Sequence, residues 1–278
     1  MKNKQIIKPQ LAPGLSLIDT HCHLDMDAYE HDLEQIIHNA ADQGITEIIT
    51  IGIDLTSSRK AVELAKHFPG VWAAIGIHPH NAASGDTDTY RQLQLLAWDR
   101  TNKIVGYGEI GLDFAKNYAP MDIQVKNFKR QLDMAKELDL PVIIHDRDAH
   151  EATLDILQAH APFPALGVMH CFSGDLELAR RIIDLGLYIS IPGIVTFNKS
   201  EEMQRVAREI PLQSLILETD GPFLSPVPYR GKTNKSEYLL YTAQKIAELR
   251  EISLDDLAGQ TTLNAKTLFR LHQGETSR

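Results

Sequence analysis

Eight short apolar runs, near residues 16–20, 46–51, 71–76, 103–108, 141–144, 166–169, 187–191 and 214–218, restrict this chain more than any other feature. Each is rich in Val, Ile and Leu and too short for a buried helix, so each reads as a strand of a covered parallel sheet. The stretches between them carry helical periodicity. From Asp122 to Leu138, for example, Phe128, Leu132 and Ala135 fall at i, i+4 and i+7. Eight strand-helix units in about 250 residues match a TIM-type (β/α)8 barrel. No linker rich in Pro, Gly or Ser divides the chain, which predicts one α/β domain over residues 16–271, with a leader at 1–15 that is a candidate for disorder and a tail at 272–278. After the eighth run, the stretch from Gly221 to Lys235, with Pro222, Pro226 and Pro228, predicts a loop over the barrel mouth, and two closing helices follow, the second ending near Leu271.

Composition narrows the functional classes. With 278 residues, 43% of them hydrophobic, the chain can bury a large core. Near the N-terminus, Lys2, Lys4 and Lys8 are separated by too few apolar residues for a secretory signal, and no run approaches the roughly 18 residues of a membrane span. The expectation is a cytoplasmic protein with no membrane association. Only Cys22 and Cys171 are present, without a CxxC motif, so a disulfide framework is not expected. A formal net charge of -9 argues against a broad basic face that grips nucleic acid. It leaves room for a phosphate-containing substrate, because bound divalent cations can dominate the field within a cleft.

Metal-type residues recur where the apolar runs end. His21 and His23 close the first run, Glu109 follows the fourth, His145 the fifth, His170 the sixth and Asp220 the eighth. In a parallel barrel every strand ends on the same rim, so these six converge on one mouth. A lone His or Asp at a strand end is ordinarily a hydrogen-bonded rim residue; six together predict a metal site. Four imidazoles and two carboxylates without a thiolate suit Zn²⁺, Mn²⁺ or other borderline divalent ions, and the count fits two cations sharing a carboxylate.

The stretches Asp19-Thr-His-Cys-His-Leu-Asp25, Gly76-Ile-His-Pro-His80, Gly108-Glu-Ile-Gly-Leu-Asp113, Val142-Ile-Ile-His145, His170-Cys-Phe-Ser-Gly174, Glu218-Thr-Asp-Gly-Pro-Phe223 and Pro228-Tyr-Arg-Gly-Lys232 resemble the signature blocks of the TatD metal-dependent hydrolases, often called TatD-type deoxyribonucleases, in the amidohydrolase superfamily. The resemblance covers residues 16–271, in order. It implies one cation held by His21, His23, Glu109 and Asp220 and a second by Glu109, His145 and His170, with Zn, Mn or Mg as candidate ions. It implies Asp220 and Glu109 as catalytic residues, DNA or another phosphodiester as partner, and cleavage from the 3' end. Asp220 is the candidate general base because it can both touch a cation and accept a proton. The same ligand set would serve a hydrolase of C–N or ester bonds in a small molecule or aminoacyl ester, and a noncatalytic metal-binding barrel is a third reading. No obligate protein partner is evident.

Further positions stay open. His78 and Arg230 are candidate substrate contacts, against loop caps or solvated residues; His80 and Lys232 carry the same two readings. Asp19, Asp25 and Asp113 can orient imidazoles or serve as turn residues. Cys22 and Cys171 are expected to face away from the ligands as small buried hydrophobes. His31, His38, His67, His150, His160 and His272 read as surface residues, and Trp72 and Trp98 as packing. Two departures from the family pattern, Gly221 after the aspartate and Asn234-Lys-Ser236 in the final loop, predict altered loop stiffness.

Overall fold

The computed structural model describes residues 8–116 and 118–271. Eight parallel strands, β1 (Leu17–Cys22), β2 (Ile45–Ile51), β3 (Val71–Ile75), β4 (Ile104–Asp113), β5 (Val142–Arg147), β6 (Gly167–Met169), β7 (Tyr188–Ile191) and β8 (Leu215–Leu217), pair in sequence order. Helices α1 (Leu33–Asp42), α2 (Leu55–His67), α3 (Thr87–Trp98), α4 (Met121–Glu137), α5 (His150–His160), α6 (Leu176–Asp184), α7 (Glu201–Glu209) and α8 (Leu239–Arg250) follow the strands in turn, and α9 (Leu254–Phe269) ends the fold. This is a TIM barrel. β4 and β5 run further than their apolar runs, so Glu109 and His145 lie within strands rather than after them.

Local chemistry sets the helix starts. Asp54 accepts from the Ser57 N–H at 2.7 Å and Asp175 from the Leu178 N–H at 2.8 Å, each satisfying a donor that the first turn leaves open. In α4, the periodic residues Phe128, Leu132 and Ala135 are all buried.

Two layers of core follow from strand alternation. Ile18, Ile49, Ile51, Ala74, Val105, Ile143, Val168 and Ile216 come from strands all round the sheet yet form one cluster, which places them inside the barrel. Ala265, Leu268 and Phe269 of α9, with Leu271, join that cluster and plug the end where the strands begin. Asn264 fixes the plug by donating to the carbonyls of Leu212 and Leu215 at 2.8 and 2.7 Å. The alternate strand residues, such as Leu17, Ile48, Ile75, Ile144 and Ile189, pack outward against the helices.

The seam between β8 and β1 closes through short-range bonds. Asp220 donates its backbone N–H to the His21 carbonyl at 2.9 Å, and His23 donates to the Gly221 carbonyl at 2.7 Å. Asp19, fully buried, accepts from the Thr219 N–H and hydroxyl at 2.9 and 2.7 Å. Burial pushes its carboxyl up to about 6 against these bonds.

Residues 8–15 of the predicted leader lie against the barrel, with Leu11 packed on the core and the Ala12 N–H donated to Asp255 at 3.1 Å. The first seven residues and the tail from His272 lie outside the described residues. No helix among the described residues is long and apolar enough to cross a membrane. Trp72 packs as expected, donating to Glu47 at 2.8 Å. Trp98 does not: it is 60% exposed at the C-terminal end of α3.

Candidate metal centre

His21, His23, Glu109, His145, His170 and Asp220 meet at the end of the barrel where the strands finish. Glu109 is at the centre. Its Oε2 faces His21 Nε2 at 3.5 Å and His23 Nε2 at 3.9 Å, while its Oε1 faces His145 Nδ1 at 2.6 Å and His170 Nε2 at 2.7 Å. Asp220 Oδ1 closes the first set, 3.8 Å from His21 Nε2 and 3.5 Å from His23 Nε2. One carboxylate thus divides its two oxygens between two groups of imidazoles.

Strand geometry explains how each side chain arrives there. On β5, His145 shares the inward parity of Ile143, and beyond β6 His170 shares that of Val168. On β1 simple alternation from inward-facing Ile18 would turn His21 out. A register shift against β2 between Asp19 and Cys22 re-aims it. A second shift, between Tyr107 and Ile110 against β5, brackets Glu109. At Gly111 the two strands come so close that a Cβ would lie 2.0 Å from the His145 carbonyl oxygen. Only glycine permits that approach. Asp220 sits in the left-handed region at φ 56, the turn that brings its carboxylate back over β1.

The imidazoles are held from behind. The His23 Nδ1–H donates to the Ile51 carbonyl at 3.4 Å, which leaves Nε2 of the neutral ring with its lone pair toward Asp220. His145 turns Nε2 to Asp113 at 3.4 Å, and His170 turns Nδ1 to Glu218 at 3.7 Å. Carboxylates behind ligating histidines fix ring orientation and raise basicity. Asp113 also accepts from His80 Nε2 at 2.7 Å and from the Lys116 N–H at 2.9 Å. Glu218 accepts from the Cys171 N–H at 2.6 Å.

Electrostatics follow from this crowding. Burial pushes the Glu109 carboxyl up, but His170, His78 and His145 outweigh it and hold the group well below the usual carboxylate range. Burial opposes the charged form of His170 as well; Glu109 and Glu218 outweigh it and raise this ring. His21, buried and beside His170, is pushed down. Burial lowers His78 to about 4.

A divalent cation fits these residues. Both ring nitrogens of His21 are buried with no hydrogen-bond partner among the described residues, and its Nε2 faces the carboxylates of Glu109 and Asp220. Buried polar atoms left so are uncommon unless an ion or water satisfies them. Three groups of candidate ligand atoms lie within 4.8 Å of one another: His21, His23 and Asp220; His21, His170 and Glu218; His78, Glu109 and His145. All are nitrogen and oxygen donors.

Other expected positions separate. His78 belongs to the cluster, its Nε2 3.4 Å from Glu109 Oε1. Its Nδ1 accepts the His80 N–H at 3.0 Å, so the neutral ring carries its hydrogen on Nε2 and presents a donor, not a lone pair, to the site. Arg230 is exposed on the final loop, its guanidinium 4.4 Å from the Phe197 ring centre. Asp19 serves the seam rather than an imidazole, and Asp25 lines a groove with Lys60 and Glu63. Cys22 is buried against Tyr29, and the Cys171 thiol is pushed well up by burial. His150 is not an ordinary surface residue: its Nδ1 donates to Asp146 at 2.6 Å. Glu218 was absent from the expected set, although its parity with inward-facing Ile216 marks it.

Gly221 also differs from expectation. It is not a loosened point: a Cβ there would meet the Tyr29 hydroxyl at 2.3 Å and Cys22 Sγ at 3.0 Å, and its carbonyl is bound by His23. Tyr29, donating to the Asn234 carbonyl at 2.6 Å, occupies the space a larger residue would need.

A TIM barrel whose strand ends gather imidazoles around a shared carboxylate defines a metal-dependent hydrolase. The sequence matches the family described as TatD related DNase over residues 18–270. The chain belongs to that family. It is 40% identical over 260 residues to an uncharacterized metal-dependent hydrolase of Bacillus subtilis, YabD, covering 92% of this chain and 100% of the relative. With the Escherichia coli uncharacterized metal-dependent hydrolase YcfH it shares 35% over 258 residues, covering 92% and 96%. Its fold superposes on that of the TatD homologue YJJV from Escherichia coli with a TM-score of 0.88 at 33% identity, covering 92% of this chain and 98% of that one.

Proposed function

We propose that the protein is a two-cation phosphodiesterase acting on DNA, releasing nucleotides from the 3' end. The observation that carries this reading is the division of Glu109 between two sets of imidazoles. One cation would be held by His21, His23, Asp220 and Glu109 Oε2, the other by His145, His170 and Glu109 Oε1. When bound, the cations supply positive charge that acidifies water and neutralises charge developing on a phosphoryl oxygen.

The chain's own residues do the rest. Asp220, with its side chain 14% exposed against 4% for Glu109, stands where the cluster meets solvent and accepts the proton of the attacking water. His78 offers its Nε2–H to a phosphoryl oxygen. Arg230, steadied over Phe197, supplies a guanidinium to a neighbouring phosphate of the strand. The net charge of -9 repels a duplex at large, so contact is confined to the mouth.

The test is an assay of chelator-stripped protein reloaded singly with Zn²⁺, Mn²⁺ or Mg²⁺, on end-labelled DNA beside a panel of amides and esters. Metal-dependent loss of 3' nucleotides and two cations per chain by elemental analysis are expected. Turnover of an amide or ester with DNA untouched would replace the reading with C–N or ester hydrolysis at the same centre.

A further inference from the structure

Among the large apolar side chains left exposed in the described residues, two touch imidazoles of the mouth. Tyr118, 70% exposed, meets His80 with ring centres 4.7 Å apart, and Phe223, 49% exposed, meets His23 at 6.2 Å. They end an unbroken arc of rings. From Tyr118 it passes through His80, His145, His170, His21 and His23 to Phe223, with no step longer than 6.4 Å. The candidate metal ligands occupy the middle and one exposed aromatic stands at each end.

Backbone hydrogen bonds lie close to both rings. The Phe223 N–H donates to the Asp220 carbonyl at 2.9 Å, which ties this ring to the proposed base. Tyr118 lies between Lys116, whose N–H is bound by Asp113 at 2.9 Å, and buried Ala119, whose carbonyl accepts from Gln124 at 2.9 Å. The interplanar angles with the imidazoles are steep, 75° for Tyr118 and 68° for Phe223, so no imidazole stacks face to face on either ring. Leaving two large rings this exposed forgoes much of the gain that full burial would bring to folding.

We propose that Tyr118 and Phe223 are stacking platforms for the two bases that flank the scissile phosphodiester. The inference rests on the nuclease reading above and adds the residues that select the substrate. A phosphodiester seated at Glu109 carries a nucleoside on either side, and the arc puts an aromatic ring toward each. Stacking on a π-face tolerates every base, but it requires bases that are unpaired and splayed. The two rings therefore favour a single-stranded or frayed end without reading its sequence.

The experiment compares kcat/KM on a single-stranded oligonucleotide with that on an abasic strand of the same backbone, for the metal-loaded wild type and for Tyr118→Ala, Phe223→Ala and Phe223→Leu. The ratio of base-bearing to abasic rates is expected to fall about tenfold for each substitution, carried by KM. Phe223→Leu keeps apolar volume and removes the ring, so a fall there excludes misfolding as the cause, and Phe223→Trp is expected to restore the ratio. An unchanged ratio in an active enzyme overturns the stacking role and leaves the nuclease reading standing. A wild type inert toward both strands overturns both.

Discussion

The backbone N–H of Asp220 is bound to the carbonyl of His21 at 2.9 Å, so the bond that closes the barrel also sets the acid of the last strand against an imidazole of the first. Site and seam are the same place. Substitutions here act on chemistry or on closure according to whether they touch a side chain or the backbone path.

Asp220→Asn separates the two. Asn tolerates the left-handed conformation at φ 56, and the backbone bond to His21 is untouched. Turnover is expected to fall by about 10²–10⁴-fold, the usual worth of a positioned proton acceptor, with little change in thermal unfolding. Near-wild-type rates would remove Asp220 from proton transfer.

Asp113→Asn acts from behind His145. The carboxylate serves His80, His145 and the Lys116 N–H together, whereas an amide offers one acceptor oxygen and turns an NH₂ group toward a donor. Cation affinity is expected to weaken by about 10–100-fold, the range for losing such a supporting partner. Titration of stripped protein with Mn²⁺ measures it, and an unaltered affinity would show that His145 needs no anchor.

Gly221→Ala tests the close approach at the seam. The new methyl meets the Tyr29 hydroxyl, and overpacking of this kind costs about 1–3 kcal/mol. Tyr29→Phe removes the oxygen. In the double variant part of the loss is expected to return, read as a coupling energy from urea melts of all four proteins; strict additivity would place the cost elsewhere, at Cys22 for instance.

Stripping the metal should lower stability as well as activity. The buried His21 Nε2, which faces Glu109 and Asp220 without a hydrogen bond, gains a partner when an ion is held, and a cation at 100 times its Kd contributes about 2.7 kcal/mol to the folded state. For a domain of this size that corresponds to a Tm lower by roughly 5–10 °C in chelator. Equal melting temperatures with and without Zn²⁺ or Mn²⁺ would mean that the cluster binds neither.

The barrel was legible because apolar runs such as Pro141-Val-Ile-Ile144 and Leu215-Ile-Leu217 are too short for helices and recur with helical stretches between them. Convergence of the six polar residues on one rim followed from the topology. The strand interior hid the rest. The register shifts that re-aim His21 and Glu109 arise from pairing with β2 and β5, and nothing local in Thr20 or Gly108 announces them. Glu218 was readable from its parity with Ile216 but was masked by the more conspicuous Asp220 two residues on. Trp98 shows the converse limit: its residue type suggested packing, yet at the last position of α3 it is exposed. Gly221 was taken for slack because its neighbour in space, Tyr29, is nearly 200 positions away in sequence.

The order of the strands has a consequence for biosynthesis. A polypeptide still growing on the ribosome, or cut between His170 and Leu215, already contains His21, His23, Glu109, His145 and His170, yet lacks the wall against which His21 and His23 are braced. Unfinished or clipped copies thus hold most of the candidate ligands without the seam that seats them, and the cluster is completed in a single step as the termini of the sheet are joined.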